Sequence, residues 1–366
     1  MNSVRSKKKT VQNQLLSNYR SNIHKLEYFN FNIVDGCNSR CTICYLWKNH
    51  IQKLSFTQFC KVIKLMEPYM VSDKEIVLNL GGGGEPLLNN EIFKMIKFSK
   101  NCGFLTSLVT NSLLLTKKTC ENLVNSGLDF INLSFESFDN KINDKIRGVK
   151  GHHKKVLGSI KYLTNAKEKY NSSMRIGILT TICSHNLESI PDLIKWVDKT
   201  KEISTIRLHS VTQVFGSNSI KEWYKKKEFS HLWPKEKSII ENTYDQISKI
   251  KKKGSKVENS FQSLMTQKNY FLYPNKNNPY IRQKCEVHKG VIINANGQLV
   301  LCPMGENILI PFGKNIILDL NEKQYNPINL LNNIKKTQKK IINCTFNNCH
   351  IKLNCNFSGN EQYNFE

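Results

Sequence analysis

Phe31-Asn32-Ile33-Val34-Asp35-Gly36-Cys37-Asn38-Ser39-Arg40-Cys41-Thr42-Ile43-Cys44-Tyr45 is a short apolar run that turns at a glycine into three cysteines. The run from Phe31 to Val34 has strand character. The cysteines after it are spaced C-x3-C-x2-C. Three thiolates on one tight loop suit a [4Fe-4S] cube with one iron left unligated, because a fourth cysteine would close every corner. Two plainer readings are a zinc knuckle short of a ligand and unrelated core cysteines, although structural zinc takes four ligands.

Working outward, apolar runs of strand length recur at Glu75 to Leu80, Leu105 to Val109, Phe130 to Ser134, Arg175 to Thr181 and Thr205 to His209. Between them lie helix-length segments with apolar residues three and four apart. In Asn90 to Asn101, Ile92, Phe93 and Ile96 share a face, Asn90 is placed to N-cap and Gly103 to stop the helix. In Thr116 to Ser126, Cys120, Leu123 and Val124 form the stripe and Gly127 ends it. Six strand-helix units predict an α/β fold, with parallel strands joined by right-handed crossovers into an open or partial (β/α)6 barrel. In such folds the chemistry sits at the carboxyl ends of the strands. The chain divides into a basic extension (1–28), this core (29–215), a Lys-rich helical linker or insertion with Trp223, Tyr224 and Trp233 (216–279), and a smaller cysteine-rich segment (280–366).

The second strand runs into Gly81-Gly82-Gly83-Gly84-Glu85-Pro86, where glycines let backbone approach a ligand and Glu85 offers a carboxylate. It is neither a dinucleotide fingerprint nor a phosphate loop. Thr110-Asn111-Ser112 follows the third strand, Ser134-Phe135-Glu136-Ser137 closes the fourth, and Arg147-Gly148 lies just beyond. Taken together with the cysteine triplet and its aromatic neighbour Tyr45, these stretches resemble the radical S-adenosylmethionine (SAM) superfamily. Gly83, Gly84, Glu85 and Pro86 look like its GGEP, Thr110 to Ser112 is similar to its TNG, and Ser134 to Ser137 with Arg147-Gly148 resembles its S-x-D-G and R-G. The resemblance implies a cluster on Cys37, Cys41 and Cys44, and SAM held by Tyr45, Gly83, Gly84, Glu85, Asn111, Ser134 and Arg147. Glu85 would face the SAM ammonium, Ser134 the ribose and Arg147 the carboxylate. Outside that resemblance, Arg147 reads as a surface helix-end charge and Ser134 as a strand-end hydroxyl.

Towards the C-terminus, Cys285 is followed by Val291 to Cys302, which reads as two strands around a turn at Asn296-Gly297. The pattern C-x11-G-x4-C is similar to the opening of the SPASM domain, the auxiliary-cluster extension of the superfamily. Cys344-x4-Cys349-x5-Cys355 resembles the later SPASM run, with a longer first gap and Gly359 where its last cysteine would stand. That shortfall favours one auxiliary [4Fe-4S] cluster, nearer the abbreviated twitch variant, on Cys285 and Cys302 with two or all of Cys344, Cys349 and Cys355. A zinc site is the alternative for these five. Cys60, Cys102, Cys120 and Cys183 read as buried small apolar residues, and His152, His153 and His185 as surface or capping residues.

The 366 residues carry 54 Lys and Arg against 29 Asp and Glu, a formal charge of +25. Only Arg5, Arg20, Arg40, Arg147, Arg175, Arg207 and Arg282 are arginine, the residue favoured for bidentate phosphate contacts. The dispersed lysines argue against nucleic acid as the partner. No apolar run approaches the roughly 18 residues of a membrane helix, and the basic start lacks an apolar signal segment. A cytoplasmic protein is expected, whose 12 cysteines serve metal or catalysis and not a disulfide framework.

The resemblance implies an oxidoreductase that reductively cleaves SAM to a 5′-deoxyadenosyl radical, abstracts a substrate hydrogen and passes the remaining electron to the auxiliary cluster. It also implies a flavodoxin- or ferredoxin-type electron donor. The substrate would be a sugar, an aminocyclitol or another small metabolite, or a peptide side chain. The alternative is a peptide or sulfatase maturase, against which stand the short stretch before Cys37 and Pro303, where sulfatase maturases carry Asp. Readings of another class are an RNA-modifying or RNA-binding protein and a two-cluster electron carrier.

Overall fold

The computed structural model describes residues 26–67, 70, 75–214, 222–274, 289–301, 316–319 and 327–342. Six strands, β1 (Tyr28–Phe31), β2 (Val77–Leu80), β3 (Leu105–Thr110), β4 (Phe130–Ser134), β5 (Arg175–Ile182) and β6 (Thr205–Ser210), lie side by side in chain order, every neighbouring pair parallel. The crossovers carry α1 (Phe56–Met66), α2 (Ile92–Asn101), α3 (Lys117–Asn125), α4 (Asn140–Arg147) with α5 (His152–Lys169), and α6 (Ile190–Lys199). This is the α/β partial barrel expected from the strand-helix alternation. Beyond β6, α7 (Lys237–Lys252) and α8 (Phe261–Leu272) pack on each other, with α7 also against α6.

β7 (Gly290–Ile293) runs parallel to β1 on its free edge, β8 (Gln298–Val300) returns antiparallel, and β9 (Ile316–Asp319) adds a further antiparallel strand. Gly297, at φ +84°, makes the turn between β7 and β8. The two-strand reading around Asn296-Gly297 is what the structure shows, and these strands extend the core sheet. A last helix, α9, spans Pro327–Ile342. Among the described residues no helix is long and apolar enough to cross a membrane.

Burial alternates along the strands. Phe29 and Phe31 of β1, Leu78 and Leu80 of β2, and Ile206 and Leu208 of β6 are fully buried under the helices. Their neighbours Asn30, Asn79, Thr205, Arg207 and His209 point to the other face and stay half-exposed. Phe31 meets Phe59 of α1 with ring centroids 4.4 Å apart; burying either ring is worth roughly 1.5–3 kcal/mol. β1 starts three residues earlier than its apolar run suggests, because Tyr28 and Asn30 occupy the polar face of the alternation. After Phe31 the backbone turns to other partners: Asn32 N–H bonds Ile293, and Leu54 N–H bonds Ile33.

Local chemistry sets the helix ends. Ser55 and Gln58 form a reciprocal capping box on α1, and Thr116 caps α3. Asn90 does not cap α2: Glu91 is the N-cap and makes no side-chain cap bond, so the cap assignment is corrected. Cys120 and Cys183 are buried as expected, whereas Cys60 is half-buried and Cys102 exposed, since Cys102 lies past the end of α2.

Candidate active site

The cysteine loop leaves β1 at the carboxyl edge of the sheet and is anchored on both sides by backbone. Gly36 pairs with Gly84 of the loop after β2, and Glu85 N–H donates to Gly36 O at 3.1 Å. A Cβ on Gly84 would fall 2.1 Å from that carbonyl, so only glycine permits the contact. On its other flank the loop rests on the end of α4. Ser39 Oγ donates to Arg147 O at 2.9 Å, and Thr42 N–H to Ile146 O at 2.9 Å. Gly148 ends α4 in the left-handed region at φ +63°, where a Cβ would lie 2.0 Å from Arg40 O. The glycines of GGEP and R-G thus clamp the cysteine loop between them.

Cys37, Cys41 and Cys44 share one environment. Cys37 Sγ accepts Ser39 N–H at 3.4 Å and Asn111 Nδ2 at 3.5 Å. Cys41 is buried beside Ser39 Oγ at 3.3 Å. Burial pushes the Cys44 thiol up to about 12 and that of Cys37 above its ordinary value, with the neighbouring cysteines adding to both. Such thiols stay protonated until a metal centre takes them as ligands. Among the described residues no three His, Cys, Asp or Glu side chains are placed to hold a single metal ion. A cube gives each thiolate its own iron, so its ligands need not converge on one point.

Glu85 lies at the base of the site, 1% exposed. Its Oε1 accepts Thr110 Oγ1 at 2.7 Å and Leu87 N–H at 3.2 Å, and its Oε2 accepts Asn111 N–H at 2.8 Å. Three of about four lone-pair positions are therefore used within the protein, which leaves one on Oε2. This carboxylate locks the loop after β2 to the loop after β3. Asn111 Nδ2 reaches back to Asn38 Oδ1 at 2.7 Å, and Ser112 adopts φ +67° with its buried hydroxyl lacking a partner among the described residues.

Arg147, the last residue of α4, is not a surface charge. It is 8% exposed and pairs through Nη1 with Glu136 Oε1 at 3.2 Å, while Glu136 Oε2 accepts Thr181 N–H at 2.7 Å. Burial pulls the guanidinium down, but the negative charge that Cys41 and Cys37 carry once ionised, together with Glu136, outweighs it and holds the group above its ordinary value. Its Nε is buried and has no partner among the described residues. A buried orphan donor beside the cysteine loop is what an anionic ligand there would satisfy. Ser134 closes β4 at 9% exposure. Gly83 packs on Asn32. Tyr45 donates its hydroxyl to Glu228 at 2.8 Å and carries Lys48 Nζ 3.6 Å over its ring. The segment with Trp223, Phe229 and Trp233, all buried, packs against it. Cys285, Cys302, Cys344, Cys349 and Cys355 lie outside the described residues.

Sequence reasoning missed two partners. Glu136 stands inside the Ser134 to Ser137 stretch, and nothing in that stretch marks it as the partner of Arg147. His152 was read as surface or capping, but it is fully buried and bonds Asn111 and Asn143. No local pattern marks it, since Asn111 lies 41 residues away. His185 is half-buried, 5.7 Å from the His231 ring.

A parallel partial barrel delivers three cysteines from its first strand to a carboxyl-edge site, the arrangement that the resemblance to the radical SAM superfamily leads one to expect. The Radical SAM superfamily model matches residues 31–197, a little under half of the chain. Among curated proteins, the chain is 25% identical over 113 residues to the PqqA peptide cyclase of Bradyrhizobium diazoefficiens, covering 31% of this chain and 28% of that protein. It is 23% identical over 192 residues to the Fe-coproporphyrin III synthase of Methanosarcina barkeri, covering 52% and 46%. The chain thus matches less than half the length of either relative. Among solved structures, Streptococcus suis SuiB bound to S-adenosylmethionine superposes with a TM-score of 0.58 at 16% identity, covering 87% of this chain and 67% of that one. This likeness is one of fold.

Proposed function

We propose that this chain is a radical SAM oxidoreductase carrying one auxiliary [4Fe-4S] cluster. The observation that carries the reading is the meeting of four motifs at one edge of the sheet: the cysteine loop on Gly84 and Gly148, Glu85 on Asn111, Asn111 on Cys37, and Arg147 beside the thiols with its Nε unsatisfied among the described residues. When bound, the cluster supplies one electron that splits SAM into methionine and a 5′-deoxyadenosyl radical, which takes a hydrogen atom from the substrate. The protein binds and orients. Cys37, Cys41 and Cys44 hold three irons, the Arg147 guanidinium takes the SAM carboxylate, and the glycine loop with the remaining Glu85 lone pair receives the ammonium. Ser134 is assigned to the ribose, and Tyr45 is assigned to the cofactor as well. Cys285 and Cys302, with two or all of Cys344, Cys349 and Cys355, are assigned to the auxiliary cluster. A cluster held by those cysteines would supply a site able to take up one electron from the substrate.

The half-exposed polar face of the sheet, taken over the described residues, supports a neutral polar substrate such as a sugar, an aminocyclitol or a related metabolite. Asn79 donates to Asn30 at 2.6 Å, Asn30 to Asn32 at 2.8 Å, and Asn32 to Asn294 at 3.0 Å. This amide chain lies against the glycine loop, and each amide keeps hydrogen-bonding capacity for a ligand. Arg207 on the same face is neutralised by a two-point pair with Glu258 at 2.7 and 2.8 Å. A peptide substrate is the second reading, favoured by the likeness to a peptide cyclase and to SuiB, which has been solved bound to its precursor peptide SuiA. A flavodoxin- or ferredoxin-type protein is the assigned electron donor.

The test is anaerobic reconstitution followed by dithionite and SAM. The proposed enzyme forms 5′-deoxyadenosine, and Cys41→Ala abolishes it. Absence of cleavage by the reconstituted wild type contradicts the reading and leaves an electron carrier.

A further inference from the structure

His152 is the first residue of α5 and is 0% exposed. Its two nitrogens have one partner each: Nε2 lies 2.9 Å from Asn111 O, and Nδ1 lies 3.0 Å from Asn143 Nδ2. A carbonyl oxygen only accepts, so the proton is on Nε2. Nδ1 is then an acceptor, and Asn143 must turn an N–H towards it. That orientation leaves Asn143 Oδ1 facing the other way, where it accepts Glu136 N–H at 3.0 Å. The three bonds are thus mutually consistent in one tautomer and one amide orientation.

The chain they form connects pieces of the site that are far apart in sequence. Glu136 belongs to the loop after β4 and pairs with Arg147. Asn143 stands one turn before Arg147 on α4. Asn111 belongs to the loop after β3, and its side chain touches Cys37 and Asn38. A charged imidazole would set an N–H against the Asn143 N–H, and burial together with the Arg147 charge depresses the ring to about 3. Its role is therefore that of a neutral donor and acceptor.

We propose that His152 is a positioning residue of the SAM site: with Asn143 it fixes the loop after β3 to the loop after β4, so that Asn111 and Arg147 meet the cofactor in one geometry. This rests on the radical SAM reading of the site. His152 touches neither the reacting atoms nor the cysteines.

The test compares His152→Gln, which can place an amide N–H at the Nε2 position, with His152→Asn, which keeps only the acceptor near Nδ1. Asn143→Ala removes the middle of the chain and leaves His152 in place. All are reconstituted beside wild type and measured for iron content, SAM dissociation constant, the change in the electron paramagnetic resonance spectrum of the reduced cluster on adding SAM, and peptide-level amide exchange. The expected result is unchanged iron, SAM binding weakened about tenfold or more in His152→Asn and Asn143→Ala, and substantial recovery in His152→Gln. The SAM-induced spectral change should shrink in parallel, and exchange should rise around Asn111 and Glu136. Wild-type SAM affinity and spectra in His152→Asn and Asn143→Ala, even with lowered melting temperatures, would reduce the residue to a structural anchor and overturn the proposal. If wild type itself holds iron but neither binds nor cleaves SAM, the functional reading fails and this assignment with it.

Discussion

Arg147 Nη1 lies 3.2 Å from Glu136 Oε1, both side chains buried, and among the described residues the same guanidinium keeps its Nε unpartnered beside the cysteine loop. One side of the cation is fixed by the protein and the other is left for a ligand. A buried pair of this kind costs more to break than it contributes when intact, because the survivor is an uncompensated charge.

Glu136→Ala should therefore destabilise the domain by about 3–5 kcal/mol. Arg147→Ala should weaken SAM binding without loss of iron. Chemical denaturation and equilibrium dialysis separate the two. Unchanged SAM affinity in Arg147→Ala would show that the orphan Nε serves no ligand.

Ser112 holds a left-handed backbone, and its hydroxyl is buried without a partner among the described residues. Ser112→Gly removes both costs against a smaller loss of chain entropy, so a gain of about 0.5–1 kcal/mol is expected. A β-branched residue there, as in Ser112→Val, should lose about 2 kcal/mol or more. Equal midpoints for the three proteins would contradict this account of the turn.

The pH dependence of stability follows from His152. Burial, first, and the Arg147 charge, second, lower its pKa to about 3, against Asp144, which favours the charged form; His153 also faces it. The unfolded chain takes up the proton near pH 6.5 and the folded one does not, so this contribution is complete above that pH and is lost as pH falls towards 3. The expected slope is about 1.4 kcal/mol per pH unit between roughly pH 6 and 4, and His152→Gln should lack it. Identical slopes in both proteins would show that the ring titrates freely.

Much of this was legible in the sequence, and the exceptions share a cause. The strands, the cysteine loop and the glycine loop are written in runs of neighbouring residues, so period and spacing reveal them. The loops after β2, β3 and β4 are tied by partners that stand 11 to 41 residues apart: Glu85 with Asn111, Glu136 with Arg147, and His152 with Asn111. Nothing in the spacing of a lone histidine or glutamate announces such a partner. Glu85 shows the same effect in reverse, since a carboxylate that the sequence offers to a ligand spends most of its hydrogen-bonding capacity on Leu87 N–H, Asn111 N–H and the Thr110 hydroxyl.

Gly148→Ala tests how the loop is held. A methyl group would strike Arg40 O at 2.0 Å in a left-handed backbone, so the cysteine loop must shift. Reduced iron incorporation after identical reconstitution is expected, with the α/β circular dichroism retained. Full iron loading would show that the clamp between the R-G glycine and the cysteine loop is dispensable.

The most direct measurement is an anaerobic count of iron, sulfide and zinc in reconstituted wild type beside the Cys37, Cys41 and Cys44 triple alanine variant. Two cubes predict about eight irons falling to about four, with matching sulfide and no zinc. An iron content that the triple substitution leaves unchanged would contradict the assignment of the cysteine loop, and with it the whole account.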